Sequence, residues 1–145
     1  MKLIDLSANA ITADGVWVLA QKGLNRNTTL EQLNISDNRI QDSGARALAL
    51  AFESNNSIEL LNITGNGIAD EGVSVLMQVF FLFNLTSFRL RSCCADIPHR
   101  CCCRRVLATR HVQLEVFIYG NEYRAAGRKA IADAKAQNPL LTVYE

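Results

Sequence analysis

Three stretches of this chain are near copies of one another: IDLSANAI (Ile4 to Ile11), LNISDNRI (Leu33 to Ile40) and LNITGNGI (Leu61 to Ile68). Each fits apolar-x-apolar-x-x-Asn-x-Ile. The copies recur at nearly equal intervals, the step from Ile4 to Leu33 being longer by a single position than the step from Leu33 to Leu61. A Gly recurs at a fixed place after each copy (Gly15, Gly44, Gly72), and a Leu beyond it (Leu19, Leu48, Leu76). Self-similarity at this period permits few folds. Each copy is one supersecondary unit, and the copies stack because none buries its apolar face alone.

An apolar-x-apolar pair has strand period, so both apolar side chains point the same way, into a core. The Asn falls where the chain leaves the strand. Stacked Asn9, Asn38 and Asn66 then predict a ladder of side chains bonded to backbone groups that water cannot reach. Asp14, Asp42 and Asp70 are candidate helix starts, because Asp accepts bonds from the free N–H groups of a first turn. Val16, Leu19, Ala45, Leu48, Val73 and Leu76 recur at helical spacing and should face inward.

The pattern resembles the leucine-rich repeat, and its period with a helical second half is similar to the ribonuclease-inhibitor-like subfamily. The resemblance implies an α/β solenoid, with parallel strands on a concave face and helices on a convex one. Later copies are weaker. Leu85, Phe88 and Leu90 fill strand positions of a fourth repeat, with Cys93 at the Asn position, where Cys is a family alternative. Val116, Ile118 and Asn121 restore the pattern, with Gly127 and Ile131 at the helix positions. Leu140 and Val143 begin a last strand. The expected array is about five repeats plus a terminal strand over residues 1–145. Strands are centred near 4–6, 33–35, 61–63, 88–90, 116–118 and 143. Helices are expected near 14–23, 42–53, 70–81, 98–109 and 124–136. Each strand should pair with the next in sequence.

The 145 residues, 49% of them apolar, are enough for an ordinary core, and no Gly-, Pro- or Ser-rich run divides them. The longest apolar stretch, Val75 to Phe83, is too short for a membrane span and holds Gln78. No secretory signal stands at the N-terminus, so the expected location is cytoplasmic. Five Asn-x-Ser/Thr triplets, at Asn27, Asn34, Asn55, Asn62 and Asn84, are read as coincidence in an Asn-rich repeat rather than glycan sites. Met1 stands at the repeat position of Leu30, so the array begins on a strand with an open edge. This predicts self-association through Met1, Ile4, Leu6, Val16 and Leu19, or a chain that is the C-terminal part of a longer array.

All five Cys and both His lie between Ser92 and His111. Zinc prefers short paired spacings, and no CxxC pair is present. A packed helix explains the segment better: Cys102 and Cys103 align with Val75 and Leu76, and Pro98 suits a first helical turn. No nucleophile motif or phosphate loop occurs, so no catalytic, metal or cofactor residues are assigned. Net charge is +1 but uneven: residues 1–88 carry −4, residues 89–111 carry +5, and the remainder balances. The basic block points to an acidic protein partner or to a solvated face. No nucleic-acid or membrane partner is expected.

In such an array the concave strand face is the candidate binding surface. Register places Asp5, Asn34, Asn62, Arg89 and Phe117 there, followed by Ser7, Ser36, Thr64, Arg91 and Tyr119. Arg, Tyr and Phe are types enriched at interface centres. Phe117 is an interface anchor, or it packs under the C-terminal tail near Tyr144. The reading is a non-enzymatic protein-binding scaffold. Its alternatives are a regulatory segment of a larger protein, such as a GTPase activator or immune sensor, and a metal- or redox-responsive protein using the Cys segment.

Overall fold

The computed structural model describes residues 2–80 and 114–145. Five short strands form one parallel sheet in chain order: β1 (Leu3–Asp5), β2 (Gln32–Asn34), β3 (Leu60–Asn62), β4 (Leu114–Phe117) and β5 (Leu141–Tyr144). Helices alternate with them: α1 (Ala13–Val18), α2 (Gln41–Phe52), α3 (residues 70–80) and α4 (Ala125–Gln137). This is the α/β repeat architecture that the period predicts. No helix among the described residues is long and apolar enough to cross a membrane.

The core lies between the sheet and the helices. Leu33, Leu61 and Val116 are fully buried from the strand side, and Val16, Ala45, Leu48, Val73, Leu76 and Ile131 from the helix side. Phe52 and Phe80, at equivalent positions of successive repeats, meet edge to face at 5.5 Å between ring centres. The first repeat is one residue longer than the second. The step from Leu19 to Leu48 is longer by that one residue than the step from Asn27 to Asn55, so the extra residue lies between Leu19 and Asn27. At that place the helix widens into a π turn over Leu19–Gly23 and tightens to 3₁₀ over Leu24–Arg26. A π turn holds one more residue per turn than an α turn, so it absorbs the insertion while Leu24 returns to the core.

Three expectations are corrected. Leu61 pairs directly with Val116, and Asn62 with Phe117, so no strand from residues 88–90 stands between β3 and β4. The predicted strand 88–90, helix 98–109, Arg89, Arg91 and the Cys segment lie outside the described residues. Asn66 passes its ladder on to Asn121, so the rung expected at Cys93 is bypassed. At the β1 edge, Val16 is buried rather than exposed, because α2 covers it. The exposed apolar side chains there are Leu3, Trp17 and Val18, with Ile4 and Leu6 partly buried.

The helix starts are held differently from the sequence expectation. No side chain caps α1 or α2 at its own N-terminus. Instead Asp42 Oδ1 reaches forward one repeat and accepts from the Ala69 and Gly72 N–H groups, at 2.8 and 3.0 Å. Asp70 Oδ1 does the same for Arg124 and Gly127. This contact requires Gly at positions 72 and 127, whereas at Gly15 and Gly44 the nearest atoms belong to Ile11 and Ile40. A Cβ on Gly72 would stand 2.5 Å from Asp42 Oδ1, and one on Gly127 would stand 2.8 Å from Asp70 Oδ1. The fourth helix therefore docks on the third repeat just as the third docks on the second.

Candidate functional site

One face of the sheet packs on the helices. The other carries the side chains between the core positions, and pairing aligns them in rows. One row reads Leu3, Gln32, Leu60, Glu115 and Thr142; the next reads Asp5, Asn34, Asn62, Phe117 and Tyr144. Ser7, Ser36, Thr64 and Tyr119 follow two residues after the second row. Asp5, Asn34, Asn62, Phe117 and Tyr119 thus come together on one surface.

Most of the polar members have local structural work. Asp5 Oδ1 accepts from the Ser7 N–H and hydroxyl, at 2.9 and 2.6 Å. Asn34 accepts from Ser36 N–H and Asn62 from Thr64 N–H, both at 3.1 Å. These Asx turns steer the chain off the strand. The Ser7 hydroxyl and N–H hold the Asp5 carboxyl below the ordinary range, since both bonds favour the ionised form. The same turn explains the Asn-x-Ser/Thr triplets. Asn27 accepts from Thr29 and Leu30, and Asn55 from Ser57 and Ile58. Four of the five triplets are therefore turn devices; Asn84 lies outside the described residues.

Behind this face runs the predicted ladder. Asn38 Nδ2 donates to the carbonyls of Leu6, Ile35 and Ser36, and its Oδ1 accepts from Ile11 N–H. Asn66 and Asn121 repeat the carbonyl contacts one and two strands on. The residue before each ladder Asn is left-handed: Ala8, Asp37, Gly65 and Gly120 have φ between +53° and +66°. Asn66 Oδ1 has no partner among the described residues, while the Asn66 carbonyl accepts from the N–H of Gln41, whose φ is +54°. A second ladder, unforeseen in the sequence, lies at the return from helix to strand. Asn55 is 3% exposed and donates to the carbonyls of Leu24 and Asn27, at 2.7 and 2.9 Å. Asn138 donates to the Phe80 carbonyl at 3.0 Å. The recurrence of Asn27 as Asn55 one repeat on, each shortly before a buried Leu30 or Ile58, was the available signal.

The aromatic end of the face has a different character. Phe117 and Tyr144 stack at 4.4 Å between centroids with 9° between planes. Tyr119 leans against Phe117 at 6.5 Å and 44°, and is 43% exposed. The packing of Phe117 near Tyr144 is thus real, yet all three rings remain at least partly open to solvent. Among the described residues no three His, Cys, Asp or Glu side chains gather as metal ligands.

Two segments, residues 26–49 and 54–77, match the family model described as Leucine Rich repeat. No match is found among curated proteins. Among solved structures, the fold is similar to that of leiomodin-1 actin-binding site 2, with a TM-score of 0.71 and 15% sequence identity. The alignment covers 100% of this chain and 71% of the other. Residues 26–49 and 54–77 thus match leucine-rich repeats, and the described residues as a whole form one parallel sheet alternating with helices.

Proposed function

We propose that this array is a non-catalytic protein-binding module of the ribonuclease-inhibitor-like kind, whose partner docks on the open face of the sheet around Phe117, Tyr119 and Tyr144. One observation carries the reading. In the row from Asp5 to Tyr144, the first three strands present short polar side chains tied into turns, whereas β4, the turn after it and β5 present three clustered rings. Partly exposed aromatics grouped on a rigid sheet are the composition of an interface centre. Asp5, Asn34 and Asn62 form the polar flank of that surface. Asn62 pairs directly with Phe117, which supports an aromatic docking centre; Arg89 and Arg91 lie outside the described residues.

The test is capture from native lysate on immobilised full chain, with purified actin as a defined probe because the similar structure is an actin-binding site. Tyr119→Ser is the first variant, because Tyr119 is the most exposed of the rings. Retained partners should fall by at least roughly fivefold, with the melting temperature unchanged. Capture indifferent to Tyr119→Ser and to Phe117→Leu would refute the reading.

A further inference from the structure

The five strands contain no Lys or Arg, and their charged residues are Asp5 and Glu115. Asp5 is occupied by Ser7. Glu115 sits two residues before Phe117 on β4, so both project from the same face, roughly 6–7 Å apart along the strand. Pairing puts Leu60 on one side of Glu115 and Thr142 on the other. A partly buried Glu115 therefore neighbours Phe117 along the strand and Leu60 across it, with Tyr144 stacked on Phe117 and Tyr119 beyond it.

Resting on the docking reading above, we propose that this corner takes an Arg or Lys side chain from an extended segment of a protein partner. Each part of the corner meets a different part of that side chain. The stack leaves one face each of Phe117 and Tyr144 uncovered by the other ring, and the tilt of Tyr119 adds a second plane. A cation over such faces is attracted by the ring quadrupole, and a planar guanidinium stacks on them. Leu60 lies along the path of the aliphatic stem. Glu115 supplies the opposite charge. The rival anchors fit worse. An aliphatic side chain would strip water from Glu115 and leave the carboxylate unpaired, and an acidic one would be repelled by it. The direct pairing of β3 with β4 supports this sign. It sets Asn62 and Leu60 beside the aromatic strand, where the repeat spacing had suggested Arg89 and Arg91.

The experiment uses the full chain and labelled peptides of one length, in which every third residue is Arg, Lys, Gln, Leu or Glu and the rest are Gly and Ser. Binding is read by fluorescence anisotropy at low and high salt. The Arg peptide should bind tightest, then Lys, both weakening with salt; the Gln, Leu and Glu peptides should bind at least roughly tenfold more weakly. Glu115→Gln and Tyr119→Ser should each lower Arg-peptide affinity by roughly fivefold, while an Asp133→Asn change on α4 leaves it unaltered. A Gln or Leu peptide binding as well as the Arg peptide would overturn the assignment, as would affinity unmoved by both Glu115→Gln and Tyr119→Ser. If Tyr119→Ser abolishes capture of native partners while peptides show no preference for a cation, the cation assignment falls and the docking surface stands. Capture indifferent to Tyr119→Ser and Phe117→Leu removes both.

Discussion

At the scale of single residues, the array is held by side chains that bond backbone across repeat boundaries. Asn38 was visible in the sequence because it lies inside the near-identical copies. Asn55 carries a weaker signal, its recurrence from Asn27 one repeat earlier, and in segments that otherwise diverge it reads as an ordinary loop residue, expected to matter far less than Asn38. Its burial and its bonds to Leu24, Asn27, Ser57 and Ile58 reverse that expectation. Asn55→Ala should therefore cost about as much as Asn38→Ala, on the order of 1–3 kcal/mol each, because both leave buried backbone groups without partners. Urea midpoints compared with that of Asn9→Ala, at the exposed first rung, measure the difference; Asn9→Ala should be clearly milder. Asp70 yields a prediction in pH. The Arg124 and Gly127 N–H groups hold its folded pKa below the ordinary carboxylate value. A depressed pKa contributes stability above the unfolded value, near 4, that is lost as pH falls through the folded value. Asp70→Asn should lower the melting temperature at neutral pH and flatten its fall as pH drops below about 5. An unchanged acid slope would mean that this bond does not couple the third repeat to α4.

At the scale of elements, spacing alone located nearly everything among residues 2–80. Observed strands begin about one residue before the predicted centres, and α1 and α2 each start one residue before their expected windows, α1 giving way to the π turn after Val18. The unequal first period was also legible, but its structural consequence was not. A longer first step shows an extra residue without showing whether a loop or a helix takes it. The π turn gives the answer, and it is testable. Lys22 is exposed within that turn. Deleting it should restore an α-helical path, keep the fold, and leave the melting temperature within a few degrees. Deleting Arg46, exposed on α2 where no extra residue exists, should shift every following inward position and unfold the repeat. Similar thermal curves for the two deletions would contradict this account of the first helix.

At the scale of the whole molecule, the decisive feature is the step from β3 to β4. In sequence, Val116 lies close to two repeat lengths beyond Leu61, yet the two are sheet partners. Counting repeats gave Phe88 and Arg89 the intermediate strand because Leu85 and Leu90 satisfy the apolar pattern. That pattern is short and permissive. The contacts that define a repeat boundary are more demanding: Asn66 to Asn121, Asp70 to Gly127, and Asn138 to the Phe80 carbonyl. Cys93 and His99, at the ladder Asn and the helix Gly positions, match neither residue type. Those mismatches were readable in the sequence, but their joint meaning appears only when the boundary geometry is known. The consequence is functional, since it decides which residues neighbour the aromatic corner.

The register of this step is therefore the point on which the account of the binding face turns. Nuclear Overhauser contacts across β3 on isotopically labelled full chain measure it directly. The account predicts backbone contacts between Leu61 and Val116 and between Asn62 and Phe117, with the Ile63 amide protected by its bond to the Phe117 carbonyl. Backbone contacts from Leu61 and Asn62 to Phe88 and Arg89 instead would contradict it, and would return a basic strand to the centre of the face.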